Sequence, residues 1–142
     1  MRVRDFQITD LLNMKLQSGQ RHAELDIQNP EYAKMLIDNG KCYSLVDNDE
    51  TIIACAGFIH ETEYRACLWA LFTENLKNKF VILHRQTLRI IHESPYKRLY
   101  MRVHTEFDNG IVWASMLGFE YEGTEKQYIH GADFARFALI RA

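Results

Sequence analysis

Tyr64 to Phe72 (YRACLWALF) is a nearly continuous apolar stretch, and it limits what this chain of 142 residues can fold into. A strand of that character is covered on both faces, so the sheet that holds it needs helices on both sides. Thr73 follows with a hydroxyl suited to capping a helix over Glu74 to Glu93. There Leu76, Phe80, Leu83, Leu88 and Ile91 recur near helical spacing, while Lys77, Arg85 and Arg89 fall largely elsewhere. Ser94-Pro95 ends that helix. Arg98 to His104 then alternates Leu99, Met101 and Val103 against Tyr100, Arg102 and His104, the period of a strand. Strand, helix and strand in this order imply a right-handed crossover between strands of one mixed sheet.

The remaining segments fill in around this unit. Val3 to Phe6 starts a short strand, and Thr9 or Asp10 offers an N-cap for a helix through Leu11, Leu12 and Met14 to Leu16. Asn29-Pro30, with Gly40 beyond the end, predicts a helix over Pro30 to Asn39. Lys41 to Asp47 and Thr51 to Ile59 are rich in strand formers and flank the polar turn Asn48-Asp49-Glu50. Asp108 or Asn109 begins a shorter helix through Met116, stopped by Gly118. Tyr121, Tyr128, Phe134 and Phe137 lie in two last extended segments around Gly131-Ala132-Asp133, expected to pair as a hairpin. The pattern is α/β, and residues 1–142 make a single domain of ordinary size.

Composition excludes several function classes. Seventeen Lys and Arg against nineteen Asp and Glu leave a formal charge of −2, so nucleic acid is not the expected partner. No run of about 18 apolar residues offers a transmembrane helix, and MRVRDFQITD lacks the apolar core of a secretory signal. A cytoplasmic location without membrane partners is expected. Cys42, Cys55 and Cys67 lack the paired spacing of a zinc site, and His84, His92, His104 and His130 lack ligand spacing, so no metal is expected. Cys67, inside the apolar strand, reads as an inert thiol.

Val103 to Phe119 (VHTEFDNGIVWASMLGF), ending in Leu117-Gly118-Phe119, resembles the second half of a GCN5-related N-acetyltransferase (GNAT). CLWALFTENL, Phe80, Arg85, Tyr96-Lys97-Arg98-Leu99, Trp113 and Gly131 to Phe137 resemble more closely a phage and prophage GNAT-like branch, which includes podophage internal virion protein A. The resemblance covers roughly Cys67 to Ala142. It implies a mixed, mostly antiparallel twisted sheet of about six or seven strands with helices on both faces. It also implies acetyl-CoA as cofactor and an amine, on a small molecule or a protein, as acceptor. The alternative it carries is a non-catalytic phage protein acting on virion partners in assembly or DNA ejection, within the host cytoplasm or the virion. No oligomeric state follows.

Family chemistry places the cofactor pyrophosphate on a glycine-rich turn after the fourth strand, where helix N-terminal N–H groups bind anions. Here the turn is Phe72-Thr73-Glu74-Asn75-Leu76-Lys77-Asn78-Lys79, without glycine and with an acidic Glu74. By resemblance Leu71, Phe72 and Thr73 hold the pantetheine arm, and Lys77 with Arg85 the phosphates. The plainer reading makes Lys77, Lys79 and Arg85 a solvated helix face and Thr73 a cap. The usual general-acid Tyr is replaced by Ala114, so Tyr121 or Tyr128 must supply that proton if either turns inward. His60, Glu61 and Glu63 are candidate bases, or simply a polar turn, and His22 and Glu24 are candidates for binding the acceptor. Catalysis requires a splayed gap between the fourth and fifth strands opening on backbone groups near Thr73. The assembly alternative tolerates a gap filled by Trp69, Phe72 or Phe107, with Trp113 as an outward anchor or a core residue.

Overall fold

The computed structural model describes residues 1–12 and 14–142. Among them seven strands form one sheet in the order β1-β2-β3-β4-β5-β7-β6. The strands are β1 (Arg2–Asp5), β2 (Cys42–Val46), β3 (Ile52–His60), β4 (Arg65–Phe72), β5 (Arg98–His104), β6 (Glu120–Ile129) and β7 (Ala132–Ile140). Every neighbouring pair is antiparallel except β4 and β5, which run parallel. The helices are α1 (Glu24–Ile27), α2 (Pro30–Asp38), α3 (Phe80–Glu93) and α4 (Asp108–Met116).

The apolar strand is β4, and its two faces serve two cores. Leu68 and Phe72 pack with Leu99, Met101 and Val103 of β5 against Leu83 of α3 and Trp113 of α4. Leu71, with Cys55 of β3, packs on the other side against Leu11, Leu16 and the α2 residues Ala33 and Leu36. Burial on both faces is why no polar residue interrupts the run from Ala66 to Phe72.

Local chemistry explains most boundaries. Asn29 caps α2 by accepting from Glu31 N–H at 3.1 Å, with Pro30 in the first turn. Strand β5 and helix α4 have the expected bounds, and Gly118 ends α4 at φ 93°, where a side chain is disfavoured. The last two strands pair as the expected hairpin.

Two stretches depart from the sequence pattern. The helix expected after Thr9 or Asp10 is replaced by one 3-10 turn, Ile8–Asp10, and Leu16 instead makes an antiparallel bridge to Thr73. The reason is that Asp10 is already committed. Its carboxylate accepts from both guanidinium nitrogens of Arg4 (2.9 Å each), from Gln7 N–H (2.9 Å) and from the Ser44 hydroxyl (2.7 Å). It closes the turn behind it instead of opening a helix ahead. The long helix starts at Phe80, not Glu74. Thr73 sends its hydroxyl to Ile53 O (2.8 Å) and Lys77 takes a left-handed φ of 40°, so the chain turns there and completes a 3-10 turn, Lys77–Lys79, before α3 begins.

Candidate active site

β4 and β5 pair only through Arg65↔Arg98, Ala66↔Leu99 and Cys67↔Tyr100, then part. Thr73 N–H returns to Ile53 O on β3 at 3.0 Å, and the alternation of a strand therefore turns the peptide groups of Ala70 and Phe72 into the gap. A hollow flanks the gap on each side. Toward α3 and α4 lies a cleft of about 690 Å³, lined by Phe72, Glu74, Lys77, Phe80, Val112 and Met116 among others. A second hollow, of about 320 Å³, is lined on the opposite side by His22, Asp26, Tyr32, Cys67, Arg102 and Tyr128 and reaches through the gap to Thr87 of α3 and Gly110 of α4. Phe72, Phe107 and Trp113 line both and form an aromatic partition, with Phe72 centred 6.2 Å from Phe107 and 5.1 Å from Trp113. Trp69 points away from this partition, edge-on to Phe6 at 5.9 Å.

The cofactor candidates divide. Lys77 lines the cleft and makes no ion pair among the described residues. Arg85 is exposed and does not line it. Lys79 is bonded to Asp47 at the end of β2. Glu74, the acidic residue of the glycine-free turn, faces Lys15 (3.4 Å) and Arg21 (3.5 Å), which offset its charge beside the cleft. Phe72 lines the cleft, whereas Leu71 lines only the opposite hollow. Thr73 is buried, and both its hydroxyl and its N–H are engaged by β3, so it acts as a structural tie.

The candidate bases divide as well. His60 lies at the closed end of the β3–β4 hairpin, its Nδ1 2.7 Å from the Tyr96 hydroxyl. Glu61 accepts from Arg65 Nε (2.6 Å) and from the Tyr100 hydroxyl. Burial pushes its carboxyl up, but Tyr100 and Arg65 outweigh this and hold it below the ordinary carboxylate range. Glu63 is exposed in the adjoining turn. All three belong to the end where β4 and β5 still pair, away from the gap.

His22 lies in the hollow itself, stacked on His104 (5.4 Å) and edge-on to Phe134 (5.1 Å). Burial lowers its pKa below the ordinary imidazole value, His104 and His130 lower it further, and Asp26 opposes them. The shift favours the neutral ring. Glu24 is half-buried, pairs with Arg21 at 3.2 Å and does not line the hollow. On the terminal hairpin Tyr128 lines the hollow while 44% exposed, and Tyr121, 60% exposed, lies outside it with its hydroxyl 2.6 Å from Thr124. Burial raises the Cys67 thiol to about 11, so it stays protonated. Ala114 is fully buried, and Trp113 is a core residue, its indole N–H donating to His84 Nδ1 at 3.0 Å.

Three residues of the site escape the sequence pattern. Asp26 lies four positions after His22, a helical spacing that signals a shared face once residues 18–27 are known to be helical. Tyr32 carries no such signal. Gln20 carries none either, and it is buried against the gap edge of β4.

Among described residues no cluster of three or more His, Cys, Asp or Glu is placed to hold a metal ion, and no helix is long and apolar enough to cross a membrane. No family model and no curated protein matches this chain. Solved structures do match it over nearly its full length. A protein described as a phosphinothricin N-acetyltransferase superposes with TM-score 0.78 at 14% identity, covering 99% of this chain and 98% of that one. The spermidine N-acetyltransferase of Vibrio cholerae, solved with CoA and spermine, gives 0.75 at 15%, covering 99% and 95%. The ribosomal-protein-S5-alanine acetyltransferase of Vibrio fischeri gives 0.72 at 18%, covering 98% and 92%. The chain has the GNAT fold, with the mixed, mostly antiparallel sheet that the sequence resemblance implies.

Proposed function

We propose that this protein is an acyl-CoA-dependent N-acyltransferase that transfers an acetyl group to an amine. The observation carrying the reading is the parting of β4 and β5 between two hollows that meet at Phe72, Phe107 and Trp113. A bisubstrate reaction needs two entrances converging on one point, and both volumes fall in the range of ligand sites.

The residues present fit an acyl-CoA. Lys77 is a cation at the mouth of the larger cleft, suited to phosphate, and Phe72, Val112 and Met116 supply apolar wall. The paired Glu74 removes the main electrostatic objection to an anion there. Bound acetyl-CoA supplies an activated acyl thioester. On the opposite side, neutral His22 accepts a proton from the acceptor ammonium, and Asp26 steadies the imidazolium that forms. Phe134 and His104 fix the ring plane. Tyr128, which lines the hollow as Tyr32 does, is our candidate for the proton that Ala114 cannot supply.

The experiment is release of free CoA thiol from acetyl-CoA in the presence of spermidine, phosphinothricin or a peptide beginning with alanine, acceptors that the names of the structural neighbours suggest. Release that depends on one of these amines is expected. The same slow release with and without every amine contradicts the proposal.

A second reading, a non-catalytic GNAT-like protein acting through protein contacts, draws on one observation. The gap edge of β4 is already bonded within the chain, to Gln17 and Gln20.

A further inference from the structure

That bonded edge carries an inference beyond the reaction class. Gln20 is 7% exposed, and its carboxamide bridges two peptide groups of β4: Nε2 donates to Ala70 O at 2.9 Å and Oε1 accepts from Phe72 N–H at 2.8 Å. Gln17 N–H donates to Phe72 O at 3.0 Å, and Leu16 bridges Thr73. Residues 16–20 thus partner the stretch of β4 that β5 leaves open. Gly19 lies against the aromatic partition so closely that a Cβ there would stand 2.2 Å from Phe107 Cδ1.

A buried strand edge needs partners for its N–H and C=O groups. A side-chain carboxamide offers N–H donors and a carbonyl acceptor, and each amide of a pantetheine arm offers one of each. We propose that Gln20 is an internal occupant of the pantetheine berth, an autoinhibitory latch that acyl-CoA displaces as it binds. The latch rests on the acyl-CoA reading above. It satisfies Ala70 and Phe72 in the free protein and exchanges one amide for another when the ligand arrives, so the edge is never left unpaired. A ligand without amides has nothing to exchange, and it reaches the Lys77 end of the cleft with the latch still closed.

Titration of acetyl-CoA and of adenosine 3′,5′-bisphosphate, which lacks the arm, into the wild type, Gln20→Ala and Gln20→Asn tests this. Gln20→Ala removes the occupant, and Gln20→Asn shortens its reach while keeping the amide. Removing a competitor that makes two hydrogen bonds should tighten acetyl-CoA binding by about tenfold or more in Gln20→Ala, less in Gln20→Asn, and leave the bisphosphate unchanged. In the wild type, saturating acetyl-CoA should accelerate hydrogen exchange at the Gln17 amide, a reading that needs no variant to fold. Equal acetyl-CoA affinity in the wild type and folded variants, or an unchanged Gln17 amide, overturns the latch and leaves the acyl-CoA reading standing. Absence of acetyl-CoA binding by every protein overturns both.

Discussion

Lys77 and Arg85 are sequence neighbours with opposite fates, one lining the large cleft and the other exposed outside it. Lys77→Glu should therefore weaken acetyl-CoA binding by about tenfold or more, the scale of one charge-assisted phosphate contact, while Arg85→Glu leaves it unchanged. Calorimetry on the two variants separates them. His22 makes a pH prediction. Its folded pKa lies below the ordinary 6.5, so the acid limb of the rate profile should have its midpoint below that value, and His22→Gln should remove the limb. Asp10 makes a stability prediction. Burial pushes its carboxyl up, but Arg4, Gln7 N–H and Ser44 outweigh that and hold it low. Its contribution is complete above the unfolded value near 3.8 and is lost as pH falls through the lower folded pKa. Asp10→Ala removes the acceptor of Gln7 N–H and the Ser44 hydroxyl and leaves the half-buried Arg4 with Glu50 alone, at 3.7 Å, so it should cost about 2 kcal/mol by urea denaturation at neutral pH.

At the scale of elements, legibility follows how local the deciding interactions are. Helix α2 is written in Asn29 and Pro30, which act within one turn. Asn29→Ala should cost about 1 kcal/mol in a denaturation midpoint. Strand β5 and helix α4 are similarly self-declared by alternation and by Gly118. The segments 8–12, 14–20 and 73–79 are not, because their conformation is set by partners far along the chain. Asp10 answers to Ser44, Thr73 to Ile53, and Gln20 to Ala70 and Phe72. A residue-by-residue pattern sees a capping Asp and a capping Thr there, and although Thr73 Oγ1 does accept from Asn75 N–H at 3.2 Å, the partners on β2 and β3 lie beyond the reach of such a pattern.

Across the whole molecule the same division holds for the site. The β4–β5 crossover follows from one apolar strand and one crossover helix, while the gap between these strands was expected from the family resemblance alone. The residues around it were legible only in part. His60, Glu61 and Glu63 lie near the right strand in sequence but at its closed end, whereas the candidates Lys77, His22 and Tyr128 line the hollows, and Asp26, Tyr32 and Gln20 join them with no signal in the sequence pattern. Acyl-CoA entry between α3 and α4 is the step on which the proposed function depends. The direct test is calorimetric titration of acetyl-CoA into the wild type, with Lys77→Glu, Arg85→Glu and Gln20→Ala alongside. It predicts saturable binding to the wild type that Lys77→Glu weakens, Arg85→Glu leaves alone and Gln20→Ala strengthens. No saturable heat from the wild type or from Gln20→Ala at millimolar acetyl-CoA would contradict it.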